Sequence, residues 1–400
     1  MTQTHDGGGT RSEQDGSGAL TEADVKLLER TMFEVKRVIV GQDALVERIL
    51  VGLLARGHIL LEGVPGVAKT LAVETFARVI GGSFSRVQFT PDLVPTDLIG
   101  TRIYRQGRET FDTELGPVVA NFLLADEINR APAKVQSALL EVMAERHLSI
   151  GGETFPMPDP FLVMATQNPI ENEGVYPLPE AQRDRFLFKV LVDYPSVEEE
   201  REIVYRMGTR PPVAHQVLDP EDTVRLQDLA SRVFVHHALV DYVVRVITAT
   251  RRPETVGLTD VAGWLAYGAS PRATLGIVAA ARALALVRGR DYVIPSDVVE
   301  IIPDVLRHRL VLSYDALADE VDADTVITRI LQTVGLPQVA SQPVGGPVPA
   351  PNGVPPQQQP MTAGPQNQGP QNPGVPNQGL QNPYPQNPPP APGAVADGRR

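Results

Sequence analysis

Cysteine is missing from all 400 residues, which excludes disulfides, thiolate metal ligands and a cysteine nucleophile. The absence agrees with a reducing cytoplasm, where the chain is expected to reside. Long apolar runs are missing too. No stretch approaches the roughly 20 residues that span a bilayer as a helix, so no transmembrane segment is expected. The opening MTQTHDGGGTRSEQDGSG has no apolar centre of the kind a secretory signal needs. A positive balance is also lacking. Lys and Arg number 36 against 48 Asp and Glu, a net charge of −12, and no basic stripe stands out. That argues against specific nucleic-acid binding and against broad attraction to anionic lipid.

What is present suits a folded chain. Hydrophobic residues make up 42% and charged residues 21%, the proportions of a globular protein. Residues 1–18 are polar and rich in Gly and Ser, and are expected to form a disordered leader. From residue 337 Pro, Gln, Asn and Gly dominate, in fragments such as PQNQGPQNPGVPNQG. Residues 337–400 are therefore expected to be a disordered tail, whether a solubilising extension or a tether for partners.

Between these ends, residues 19–195 alternate short apolar runs with helix-like segments, the pattern of an α/β fold around a parallel sheet. HILLEG, FSRVQF, NFLLADE, FLVMATQN and FLFKVLV read as buried strands. AKVQSALLEVMAER puts Val135, Leu139, Val142 and Met143 on one helical stripe, which is expected to pack on the sheet. After Pro195 the strand signals fade and amphipathic segments follow, so residues 196–336 are expected to be a smaller all-helical domain.

HILLE runs into Gly63-Val64-Pro65-Gly66-Val67-Ala68-Lys69-Thr70-Leu71 and a helix-like segment. This is the strand, loop and helix context of a phosphate-binding loop. Gly63 and Gly66 can take angles that turn successive N–H groups onto a phosphate. Lys69 would reach the β- and γ-phosphates of ATP, and the Thr70 hydroxyl would bind Mg²⁺. The usual second glycine is replaced by Ala68. Ala68 directly precedes Lys69 and is expected to be entering the helix, where a methyl group is tolerated. The competing reading is a Gly/Pro turn followed by a surface lysine.

NFLLADEINR ends an apolar run in Asp126 and Glu127, at the strand end where α/β sheets bind ligands. Asp126 would hold Mg²⁺, directly or through water, and Glu127 would act as general base. Acids in the first turn of a helix would read the same way. Asn168, ending the next strand, could position the attacking water, although Asn-Pro is also a turn signal. Arg183 and Arg185 precede the last strand, and either could stabilise phosphate charge in a neighbouring subunit. Arg185 is preferred because it borders Phe186, whereas Arg183 reads as a solvated helix residue with an inter-subunit role open. Ser270-Pro271-Arg272 reads as N-cap, N1 and N2 of a helix. A cation there opposes the helix dipole, so either a γ-phosphate or a nearby Asp or Glu should compensate Arg272.

With these elements in this order, the chain resembles the MoxR family of AAA+ ATPases over about residues 20–335. The stretches carrying the resemblance are VIVGQ, LLEGVPGVAKT, QFTPDLVPTDLIG, LLADEINRAPAKVQSALLEVM, ATQNPIENEGVYPLPEAQRDRF and GASPRA. The alanine form of the loop looks like a family trait. Family sequences often carry an apolar residue where Arg183 stands, which supports Arg185 as the arginine finger. The resemblance implies an AAA+ P-loop core followed by a lid, a ring that is usually a hexamer, and ATP bound between subunits. It also implies chaperone-like remodelling of client proteins, some with von Willebrand factor A domains. By the same analogy residues 101–116 would be an insertion facing the central pore and 147–158 a hairpin. Tyr104 and Phe111 could then be pore contacts, but core packing is the expectation for both. A metal-chelatase motor subunit and a nucleotide-switched adaptor with little hydrolysis are the alternative readings.

Overall fold

All five apolar runs are strands, and they pair side by side in the computed structural model, which describes residues 19–338 apart from 65, 108, 169–175 and 209–210. The expected leader and nearly all of the expected tail lie outside the described residues. In chain order the strands are β1 (His58–Gly63), β2 (Phe84–Gln88), β3 (Gly100–Arg105), β4 (Thr110–Leu115), β5 (Phe122–Asp126), β6 (His147–Ile150), β7 (Glu153–Pro156), β8 (Leu162–Gln167) and β9 (Phe186–Val192), followed by two short ones, β10 (Leu265–Tyr267) and β11 (Val311–Leu312). The main sheet runs β2-β5-β8-β1-β9, and every neighbouring pair in it is parallel. All five carboxyl ends therefore lie along one edge and all five amino ends along the other.

Alternation along the strands builds two cores. Ile59 and Leu61 of β1 join an apolar layer with Leu50, Phe76 and Phe188, while Leu60, between them, joins Leu123, Leu139 and Val163 on the opposite face. Successive side chains point to opposite faces, so covering both requires helices on both sides. Asp43–Leu54 and Lys69–Ile80 cover the first and Ala133–Glu145 the second. Each Leu or Phe fully buried this way contributes about 1.5–3 kcal/mol.

Two antiparallel hairpins leave the sheet: β6–β7 falls at the hairpin that the family resemblance implied for 147–158, and β3–β4 falls where it implied an insertion at 101–116. The expectation of core packing for Tyr104 and Phe111 is not met. They face each other across the β3–β4 hairpin with ring centroids 5.1 Å apart, and are 50% and 58% exposed. The Arg102 guanidinium lies 5.2 Å from the Phe111 ring centre. Among the described residues this hairpin pairs with no other strand, and its two aromatic rings stay exposed.

Beyond residue 219 helices dominate, among them Pro220–Arg232, His237–Arg251, Pro271–Val287, Pro295–Leu306 and Ala323–Thr333. They are not alone. β10 and β11 form a small antiparallel pair, a departure from the all-helical expectation too short to leave a sequence signal. The helix Pro271–Val287 buries Ile277, Ala280 and Leu284 in the same core as Leu50 and Phe76. The helix Pro295–Leu306 adds polar contacts to the same core helix: Arg48, on Asp43–Leu54, pairs with Asp304 at 2.7 Å and Glu300 at 3.2 Å.

Candidate functional site

The loop after β1 is held by close packing. A Cβ on Gly63 would lie 2.2 Å from the carbonyl oxygen of Val192 on β9, so only glycine lets the two strands approach. Gly66 has φ +89°, which glycine takes at little cost. Val67 is buried, with Val64 and Leu71 packed against the same core. Pro65 lies outside the described residues. The expectation for Ala68 is corrected: it has φ +59° and ψ 19°, a left-handed cap preceding the helix Lys69–Ile80. The loop must reverse before its helix begins, and the reversal falls on Ala68, where the usual pattern has glycine. Left-handed backbone costs an ordinary residue about 1–2 kcal/mol.

Lys69 is the first helical residue, and its ammonium donates to the Gly63 carbonyl at 2.7 Å. Burial lowers its pKa, opposed by the charges of Asp126, Glu127 and Glu62. The ammonium, Asp126 at the end of β5, Glu127 just past it and the loop amides thus share the carboxyl edge of the sheet.

Asp126 ends β5. Its Oδ1 accepts from the Thr166 hydroxyl at 2.6 Å and its Oδ2 from Arg86 at 2.6 Å. Glu127 follows in left-handed backbone, φ 56° and ψ 50°, and its N–H donates to Thr166 Oγ1 at 2.8 Å. Its Oε2 receives the Gln88 amide at 2.8 Å and the Arg130 guanidinium at 2.8 Å. Asn168, half-buried, comes directly after Gln167 of β8. Arg86, Gln88, Thr166 and Arg130 were missed by sequence reasoning. For the first two a signal existed: in FSRVQ, polar residues two apart on a strand share one face, and that face meets Asp126 and Glu127.

The arginines lie elsewhere. Phe186, directly after Arg185, pairs with His58 at the start of β1, so Arg185 stands at the amino edge. It is exposed and its guanidinium donates to the Leu140 carbonyl. Ser270 caps its helix as expected, accepting from the Arg272 N–H at 3.2 Å. The anion compensating Arg272 here is Asp184, at 3.4 Å. Asp184 also accepts from the Ser270 hydroxyl at 2.9 Å and from buried Arg309 at 2.8 Å. Asp184, Arg185, Arg272 and Arg309 line a cleft of about 330 Å³. Arg183 is no solvated helix residue: it is half-buried, and its Nε has no hydrogen-bond partner among the described residues. Six residues of strand, about 20 Å at 3.3 Å each, separate the arginine cleft from the phosphate-loop edge.

The family model described as "ATPase family associated with various cellular activities (AAA)" matches residues 58–188, and the AAA lid domain model matches 258–330. Over 341 residues the chain is 75% identical to Chaperone MoxR1 of Mycobacterium tuberculosis, covering 85% of this chain and 89% of the relative. The chain belongs to the MoxR family of AAA+ ATPases. It is also 33% identical to Protein MoxR of Methylorubrum extorquens, over 76% of this chain and 93% of that protein. A crystal structure from Cytophaga hutchinsonii matches at a TM-score of 0.75 and 43% identity, covering 79% of this chain and 96% of that one.

Among the described residues of this MoxR-family chain, no group of three or more His, Cys, Asp or Glu could cage a metal. A donor set of one carboxylate and one hydroxyl, Asp126 and Thr70, still suits magnesium. That ion commonly binds through one or two carboxylates, with waters and substrate phosphates filling the remaining positions.

Proposed function

We propose that the chain binds ATP with Mg²⁺ and hydrolyses it as one subunit of a ring, hexameric by family resemblance, and spends the cycle remodelling client proteins as a chaperone. The observation that carries this reading is the division of the catalytic groups between two opposite edges of one sheet. Lys69, Thr70, Asp126, Glu127 and Asn168 gather at the carboxyl edge, and Arg185 and Arg272 at the amino edge. A complete site then requires the amino edge of one copy to meet the carboxyl edge of the next. A chaperone name on a relative 75% identical supports the client-directed role.

In this reading the loop from Gly63 to Leu71 holds the triphosphate with backbone N–H groups, and the Lys69 ammonium neutralises its outer charge. Magnesium, held by Thr70 and Asp126, would add charge neutralisation at the phosphates. Glu127 takes a proton from the attacking water, and Asn168 orients that water. Arg185 of a neighbouring copy stabilises the charge on the transferred group, with Arg272 beside it acting in the same direction. A working division places the ATPase core at 19–195 and the lid at 196–336. The exposed pair Tyr104 and Phe111 offers the β3–β4 hairpin an aromatic surface for clients, von Willebrand factor A domain proteins among them, in the cytoplasm.

The test is ATP hydrolysis against protein concentration for the wild type, Glu127→Gln and Arg185→Ala, with particle mass measured in ATP. The expected result is specific activity that rises as larger particles form, and a loss of a hundredfold or more in both variants with ATP binding retained. Activity that is independent of concentration and of Arg185 would refute the shared site.

A further inference from the structure

Five residues at the carboxyl edge close a hydrogen-bonded circuit. Arg86 donates to Asp126 Oδ2 at 2.6 Å, Thr166 to Asp126 Oδ1 at 2.6 Å, and the Glu127 N–H to Thr166 Oγ1 at 2.8 Å. Gln88 donates to Glu127 Oε2 at 2.8 Å, and Arg86 returns to Gln88 Oε1 at 3.4 Å. The carboxylate suited to magnesium and the carboxylate suited to proton transfer therefore share one set of supports. Arg86 is the member of that set carrying positive charge.

Burial separates the two partners of Asp126. Thr166 is 2% exposed and fixed inside the sheet, so it keeps its oxygen oriented. Arg86 stands on β2, an edge strand. Its side chain is 49% exposed against 16% for Asp126. The guanidinium can withdraw into water at small cost, whereas the carboxylate cannot follow. A divalent cation arriving at Asp126 would meet a unit positive charge already on Oδ2, and like charges this close repel.

We propose that Arg86 is a positioning residue that competes with the divalent cation for Asp126 Oδ2, so that the cation binds only as the guanidinium withdraws. The inference rests on the proposed use of ATP and magnesium.

The experiment titrates Mg²⁺ against binding of a fluorescent ADP analogue to the full chain, for wild type, Arg86→Gln and Arg86→Lys, with EDTA as baseline. Arg86→Gln is expected to lower the Mg²⁺ concentration at half effect roughly three- to fivefold, the upper range for a partly exposed pair, with affinity in EDTA unchanged. Arg86→Lys keeps the charge and is expected close to wild type. A half-effect concentration in Arg86→Gln equal to or above that of wild type overturns the proposal, as does an equal shift in Arg86→Lys. Should Arg86→Gln not fold, Arg86→Met is judged by the same criterion. If wild-type binding ignores Mg²⁺ altogether, the proposed function falls with it. If wild type responds and Arg86→Gln does not shift, only the role of Arg86 falls.

Discussion

The side-chain amide of Gln88 donates to Glu127 Oε2 at 2.8 Å, tying β2 to the residue just past β5. Glu127 needs that tie because its left-handed backbone starts a fresh turn away from the sheet. Gln88→Ala is expected to lower turnover about tenfold through misorientation of the carboxylate, with nucleotide affinity within twofold of wild type. Steady-state hydrolysis beside equilibrium binding separates the two. An equal loss in both would point to a collapsed site.

Ala68 carries its methyl group at φ +59°. Ala68→Gly removes a penalty of about 1–2 kcal/mol but frees the unfolded chain by about 0.4–1 kcal/mol. The first effect is the larger, so a net gain of about 0.5 kcal/mol is expected in urea denaturation. Ala68→Val, β-branched at the same angles, is expected to destabilise.

Asp184 joins the segment before β9 to Arg309, whose side chain is 4% exposed. Asp184→Asn leaves that buried guanidinium without its carboxylate counter-charge and is expected to cost about 3 kcal/mol. Arg329→Ala breaks an exposed pair with Asp260 and is expected to cost under about 1 kcal/mol. Urea midpoints of the two variants test that ordering.

His58 is buried between the Val163 N–H at 3.0 Å and the Met143 carbonyl at 3.3 Å. Burial, chiefly, pushes its pKa from 6.5 down to about 4; the Met143 carbonyl opposes that shift and the Arg146 charge assists it. Between these values the unfolded chain takes up a proton that the folded chain refuses, so stability falls as pH drops through the window. The full drop for this residue is about 3 kcal/mol. His308, buried against the Phe186 carbonyl, is pushed the same way. Stability measured from pH 7 to 4 should decline with a slope that His58→Asn reduces. An unchanged slope would assign the decline to other groups.

Features written locally were legible in the sequence. HILLEG and FLFKVLV coincide with β1 and β9, and Ser270 caps the helix that Pro271 begins. Features created by distant partners were not. The compensation of Arg272 offered two solutions in sequence, and Asp184, 88 residues away, supplies one of them. Thr166 meets Asp126 across 40 residues only because β5 and β8 lie in register. The exposure of Tyr104 and Phe111 depends on a hairpin that no other described strand extends, and alternation within a strand names two faces without saying which is covered. Ala68 shows the opposite limit: its conformation is imposed by closure of the loop, against its own preference.

The separation of the phosphate loop from the arginine cleft sets a rule of inheritance for mixed assemblies. In the proposed ring, a subunit with Glu127→Gln would still lend its neighbour a sound Arg185, and a subunit with Arg185→Ala would still own a sound Glu127. Each preparation alone is expected to be inactive. Mixed and reassembled, they make some junctions at which both intact halves meet, and two dead proteins recover turnover that neither holds separately.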